Sequence, residues 1–221
     1  MSEPQDLQSL AAPLRARFLD MHEAREVAFG ASRDVIRDAA NAIRAVHRGE
    51  LDRADELIVA SRTAYVRARE VASRHPVVEH GGFLQDAAKE YAEARITRAA
   101  TQGEPVPSPE DVDVDDGSWL HGLAETVGEL RRAALDRVRA GDIAGAEALL
   151  ETQQEILAVL VTIDVPDALT KGLRRATDGA RAITERTRGD LTAAAGQRRL
   201  REALDAHRAV IERMLDGVGE P

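Results

Sequence analysis

Phe83-Leu84-Gln85-Asp86-Ala87-Ala88-Lys89-Glu90-Tyr91-Ala92-Glu93-Ala94 decides how this chain is read. The stretch reads as a helix, and Asp86, Glu90 and Glu93 follow one another at spacings of four and three. Side chains so spaced leave a helix on one face. Three carboxylates on one stripe repel each other unless solvent, a basic partner or a divalent cation relieves them. The plainer outcome is a solvated face paired with Lys89 and neighbouring arginines. The sharper one is a set of oxygen ligands for Mg²⁺ or Mn²⁺, which prefer carboxylates and water.

Helical periodicity extends outward from this segment through nearly the whole chain. Pro105, Pro107 and Pro109, followed by Glu110, Asp111, Asp113, Asp115 and Asp116, mark an acidic, proline-containing loop at about 102–117. Pro76, Gly81-Gly82 and Pro166 are further breaks. Helices are expected at roughly 5–48 (with a kink near Gly30), 51–74, 80–101, 117–140, 143–163, 166–188 and 191–217. The fold class is therefore all-α, a seven-helix bundle with a long N-terminal helix, in a single domain over 1–221. Gly49-Glu50-Leu51 and Gly141-Asp142-Ile143 echo each other, each with a glycine to end one helix and an acid to open the next.

Composition agrees. Aromatic residues make up 3% of the 221, while 43% are hydrophobic, so the apolar content is alanine and aliphatic and suits closely packed helices better than a β-sandwich. The absence of cysteine excludes disulfides, thiolate metal sites and cysteine nucleophiles. Met1–Asp20 does not read as a secretory leader, and the longest apolar run, Ile156–Val161, is too short to span a bilayer. A cytoplasmic protein without a membrane role is expected. The net charge of −9 argues against a globally basic nucleic-acid binder. Yet only Lys89 and Lys171 are lysines, and arginine, the better fork for phosphate, supplies the rest of the positive charge.

Other groups have chemical potential. Glu125 and Glu129 share a face of the helix after the acidic loop, and Gly128 would let that face pack tightly against a neighbour. Asp178, in Thr177-Asp178-Gly179, sits mid-helix where propensity disfavours it. Arg33, Arg37, Arg44, His47 and Arg48 form a basic stripe that can follow a phosphate backbone, or simply pair with Asp34, Asp38 and Glu50. Glu-x-x-His, His-Glu-x-x-His, Gly-x-x-x-x-Gly-Lys and Gly-x-Ser-x-Gly are all missing from the sequence, which disfavours a di-iron bundle, a zincin, a P-loop and a serine hydrolase.

Four ordered blocks resemble the translin family, and its translin-associated factor X branch more than translin itself. They are Ser32-Arg33-Asp34-Val35 with Ile43 and His47-Arg48; Glu90-Tyr91-Ala92-Glu93-Ala94; Leu120-x-Gly122-Leu123-Ala124 with Gly128-Glu129-Leu130-x-Arg132 and Gly141-Asp142; and Thr177-Asp178-Gly179, where Thr177 and Ala180 stand in place of the family's aromatics. The resemblance implies a seven-helix protomer in a ring- or barrel-like homo-oligomer, commonly an octamer, whose cavity holds single-stranded RNA or DNA. It further implies Glu90 and Glu93 as metal ligands, Asp178 completing the site, and Glu129 as a further ligand or supporting group. The implied activity is Mg²⁺-dependent (or Mn²⁺-dependent) endoribonuclease action, with Glu90, Glu93 and Asp178 catalytic. A non-catalytic single-strand-binding oligomer and a helical scaffold are the rival readings.

Overall fold

A computed structural model gives the structure and describes residues 6–216, all helix and connecting loop with no strand among them. The outermost residues of the expected first and last helices, Gln5 and Gly217, lie outside the described residues. Six long helices carry the fold: α1 (Leu7–His47), α2 (Leu51–Ala72), α4 (Gly82–Thr101), α6 (Asp116–Arg139), α7 (Ile143–Leu160) and α9 (Leu173–Asp216). Single turns α3 (Pro76–Glu79), α5 (Pro109–Val112) and α8 (Asp167–Thr170) join them. The all-α class and the long N-terminal helix are as expected. The expected helices at 166–188 and 191–217 are instead one 44-residue helix preceded by the α8 turn. Asp190, at the expected break, is tied to Arg131 of α6 at 2.7 Å, and Leu191 is buried. That anchorage outweighs the roughly 1 kcal/mol helix penalty of Gly189.

The glycine echo is structural. Gly49 and Gly141 both adopt left-handed backbone, at φ 74° and 83°, just past the ends of α1 and α6. Asp142 then caps α7 by accepting the Gly145 N–H at 2.8 Å. Helices α1–α2 and α6–α7 thus form two hairpins.

Helix α4 lies in the middle, touching α1, α2, α6 and α7. Its alanines permit close approach, Tyr91 and Ile96 fill the main core around them, and Leu84 packs in a second cluster with Val78 and alanines of α1 and α2. Buried hydroxyls are accommodated by bonding back along their own helices, as Thr126 does to the Gly122 carbonyl at 2.9 Å and Thr184 to that of Ala180 at 3.0 Å. The distal parts of α1 and α9 are different: Leu7, Leu10, Leu14 and Phe18 on one, and Leu200, Leu204, Ile211 and Met214 on the other, remain exposed.

Candidate metal centre

Two helices build the site, and small residues set their separation. A Cβ on Gly122 of α6 would stand 2.9 Å from the Ala92 Cβ and 2.9 Å from the Glu93 amide nitrogen of α4. The two backbones are therefore nearly in contact. Glu125 follows Gly122 by three residues and faces α4 one turn further along. Tyr91, fully buried against Tyr65 with ring centroids 6.0 Å apart, fixes the rotation of α4. Glu90 and Glu93 on either side of it are thereby turned toward α6. Gly128, the small residue expected to permit close packing, has nothing within 4 Å of its Cβ direction, so the close approach belongs to Gly122.

Glu90, Glu93 and Glu125 each offer a carboxylate oxygen, and these lie within 4.8 Å of one another. Lys89 bridges two of them, its Nζ 3.1 Å from Glu90 and 2.8 Å from Glu125. Burial opposes the Lys89 charge, but the Glu125 hydrogen bond and the charges of Glu125 and Glu90 outweigh it and raise its pKa above the ordinary lysine value. Glu93 is only 7% exposed, and no hydrogen bond or ion pair reaches its carboxylate among the described residues. Burial, then the charges of Glu125, Glu90 and Glu129, push it up to about 8 against the opposing pull of Lys89. A buried acid held beside two others attracts a proton or a cation.

Glu129, one turn beyond Glu125, bonds to His47 of α1. That bond holds the Glu129 pKa below the usual carboxylate value in spite of partial burial. His47 is consequently separated from the arginine row expected to include it: its side chain is 3% exposed and engaged by Glu129. The row itself is exposed. Arg37 pairs with Asp34 and Asp38, Arg48 with Glu50, and Arg44 bonds to Asn41, while Arg33 and Arg37 flank a shallow groove with Arg67 of α2. Asp178 stands apart from the three-carboxylate cluster. It is exposed on α9 and paired with Arg181 at 2.8 Å. Asp86, the first member of the acidic stripe, is exposed too, on the rim of an adjoining cavity of about 510 Å³. That cavity is also lined by Gln85, Lys89, His121, Glu125 and Lys171.

Helix spacing signals Glu90 and Glu93 together. Nothing in spacing alone selects Glu125 over Glu129 as their neighbour, and the signal that does so is the glycine three residues before it. Lys89 as a counter-charge shared between two helices has no sequence signature.

No family model matches the sequence. An uncharacterized protein of Methanocaldococcus jannaschii is 28% identical over 181 residues, covering 81% of this chain and 80% of that one. AfC3PO in complex with duplex RNA is similar in structure, with a TM-score of 0.79 and 30% identity over 84% of this chain and 96% of that one. AfC3PO in a second structure gives the same TM-score and identity. Apo-NeC3PO shares the fold, with a TM-score of 0.76 at 18% identity over 88% of this chain and all of that one. With 30% identity extending over nearly all of AfC3PO, this chain belongs to the translin family of C3PO proteins.

Proposed function

We propose that the protein is a Mg²⁺- or Mn²⁺-dependent endoribonuclease acting within a ring- or barrel-like homo-oligomer, for which eight subunits is the expected number. The observation that carries this reading is Glu93, a buried acid with no hydrogen bond or ion pair among the described residues, set beside Glu90 and Glu125. Three carboxylate oxygens within 4.8 Å suit a hard divalent cation and leave the rest of its shell to water and phosphate. When bound, such a cation lowers the pKa of a coordinated water and offsets charge on the scissile phosphate. Glu90 and Glu125 supply the more exposed oxygens. Glu90 or Glu93, through an oxygen not committed to the cation, would accept the proton of the attacking water. Glu129, held by His47, adds negative charge behind them.

RNA as the ligand class draws support from AfC3PO, solved with duplex RNA. That partner widens the expected range from single-stranded RNA or DNA to include duplexes. The exposed arginines of α1 suit backbone contacts that do not read bases, and the few aromatic residues predict little sequence preference. The uncovered apolar stripes of α1 and α9 support self-association, since a monomer seldom leaves such faces to water. Asp178 is proposed as a contributor only through the assembly, because within one chain it lies outside the cluster. One observation favours non-catalytic binding instead: Lys89 already pairs with both Glu90 and Glu125. Glu93, without a hydrogen bond or ion pair among the described residues, weighs against it.

The test is cleavage of end-labelled RNA, unstructured and duplex in parallel, with Mg²⁺ or EDTA, beside Glu90→Gln/Glu93→Gln. Metal-dependent cutting that the double variant loses while still binding RNA supports the reading. Binding without cutting by either protein supports the non-catalytic alternative.

A further inference from the structure

Of 30 basic residues in this chain only Lys89 and Lys171 are lysine, and both line the cavity of about 510 Å³ beside the carboxylates. They reach it from different elements, Lys89 from α4 and Lys171 from the residue that ends α8. The Lys171 ammonium donates to Gln85 Oε1. Gln85 precedes Lys89 by one turn on the same face of α4, so the side chain that holds the Lys171 ammonium neighbours Lys89 there. Lys171 holds φ at 49°, a left-handed conformation that costs a residue with a Cβ roughly 1 kcal/mol and suits glycine better. That conformation closes α8, the Lys171 N–H donating to the Asp167 carbonyl, and it leaves the side chain to reach the cavity.

The acids around the cavity are partly engaged. Asp115 caps α6, accepting the Ser118 N–H at 3.0 Å and its hydroxyl at 2.6 Å. Glu125 is held by Lys89, and Asp86 adds one more carboxylate at the rim. A divalent cation held by Glu90, Glu93 and Glu125 would replace Lys89 as their counter-charge and would free its ammonium for the cavity. Lysine suits this exchange. Its compact charge on a four-carbon stem turns from one acceptor to another without the planar match that arginine requires.

We propose that this cavity seats an RNA backbone phosphate adjoining the scissile one, held by Lys171 and, once a divalent cation occupies the carboxylates, by Lys89 as well. The proposal rests on the ribonuclease reading above. It makes cation and RNA binding mutually reinforcing, since each favours the arrangement the other needs.

The test is the salt dependence of binding of a fluorescent phosphorothioate RNA, measured by anisotropy with Mg²⁺ and with EDTA. Each phosphate contact contributes about 0.7–0.9 to the slope of log affinity against log salt. Lys171→Gln is expected to weaken binding about three- to tenfold and lower the slope by about one contact, while Lys171→Arg keeps it. Lys89→Met is expected to lower the slope in Mg²⁺ and leave it unchanged in EDTA. Arg188→Gln, which removes an exposed arginine paired with Glu185, is the control and should leave the slope unchanged. Wild-type binding with an unaltered slope in Lys171→Gln overturns the phosphate seat and leaves the ribonuclease reading intact. Absence of RNA binding by the wild type overturns that reading, and the seat with it.

Discussion

Gly122 and Ala92 meet so closely across α6 and α4 that a methyl group on the glycine would lie 2.9 Å from that of the alanine. The helices must separate by some tenths of an ångström to admit Gly122→Ala. Backbone atoms of Glu93 and Lys89 crowd the same position, at 2.9 and 3.0 Å, so the strain cannot be relieved by a side-chain turn alone. Overpacking of this kind costs about 1–3 kcal/mol. Urea unfolding of Gly122→Ala should show that loss, together with weaker Mn²⁺ binding by calorimetry. Unchanged stability would mean that α4 and α6 are less tightly coupled than this contact requires.

Glu93 makes stability fall as pH rises. Its pKa is about 8 in the folded chain against an ordinary value of 4.5, so between those limits the folded state binds more protons than the unfolded state. Stability from this group is complete below about pH 4.5 and is lost by about pH 8. In metal-free buffer, Tm should therefore decline across that window, and Glu93→Gln should flatten the decline. Mn²⁺ affinity should change the opposite way, rising with pH until Glu93 is fully ionised. An identical Tm profile for Glu93→Gln and wild type would contradict the assignment.

Lys89→Met removes the resident cation from Glu90 and Glu125. Without metal the carboxylates lose their counter-charge, and stability should drop by on the order of 1 kcal/mol. The same change removes a competitor, so Mn²⁺ should bind about three- to tenfold more tightly by calorimetry. Weaker binding would mean that Lys89 organises the carboxylates for metal instead of competing with it.

The His47–Glu129 contact links α1 to α6 behind the site. His47→Ala strips a half-buried carboxylate of its partner and should cost about 1–3 kcal/mol. A double-mutant cycle with Glu129→Ala should return a coupling energy of about 0.5–3 kcal/mol, as expected of residues in direct contact. Additive effects would show that the histidine matters only for packing.

Charges placed on the apolar face of α1 test self-association. Leu10→Glu/Leu14→Glu replaces two exposed leucines, so the isolated fold should be retained by circular dichroism. Sedimentation should show the assembly reduced to smaller species. An unaltered oligomer would place the interface elsewhere.

Local chemistry made much of the fold legible. Gly49 and Gly141 announce the ends of α1 and α6, and the alanine-rich run with Glu90 and Glu93 announces α4 and half of its site. The continuity of α9 was hidden because Gly189-Asp190 reads as a break by propensity, while the Arg131–Asp190 pair that holds it straight joins residues far apart in sequence. His47 falls in step with Arg33, Arg37, Arg44 and Arg48 as a string of residues, and only the packing of α1 on α6 reveals its different environment. Asp178, drawn toward the site by resemblance, occupies a face of α9 where Arg181 is its partner. What periodicity conveys is the face of one helix; which helix lies opposite is decided by Gly122 and its like.

Because the three carboxylates come from α4 and α6, separated by the whole acidic proline loop, a divalent ion coordinated by all of them would act as a removable cross-link between distant parts of the chain. It would stabilise the folded form by mass action, by about 2.7 kcal/mol at a hundred times its dissociation constant. Withdrawal of the ion would then loosen the centre of the bundle, where α4 lies, so that the supply of metal would govern how long the molecule lasts as well as what it does.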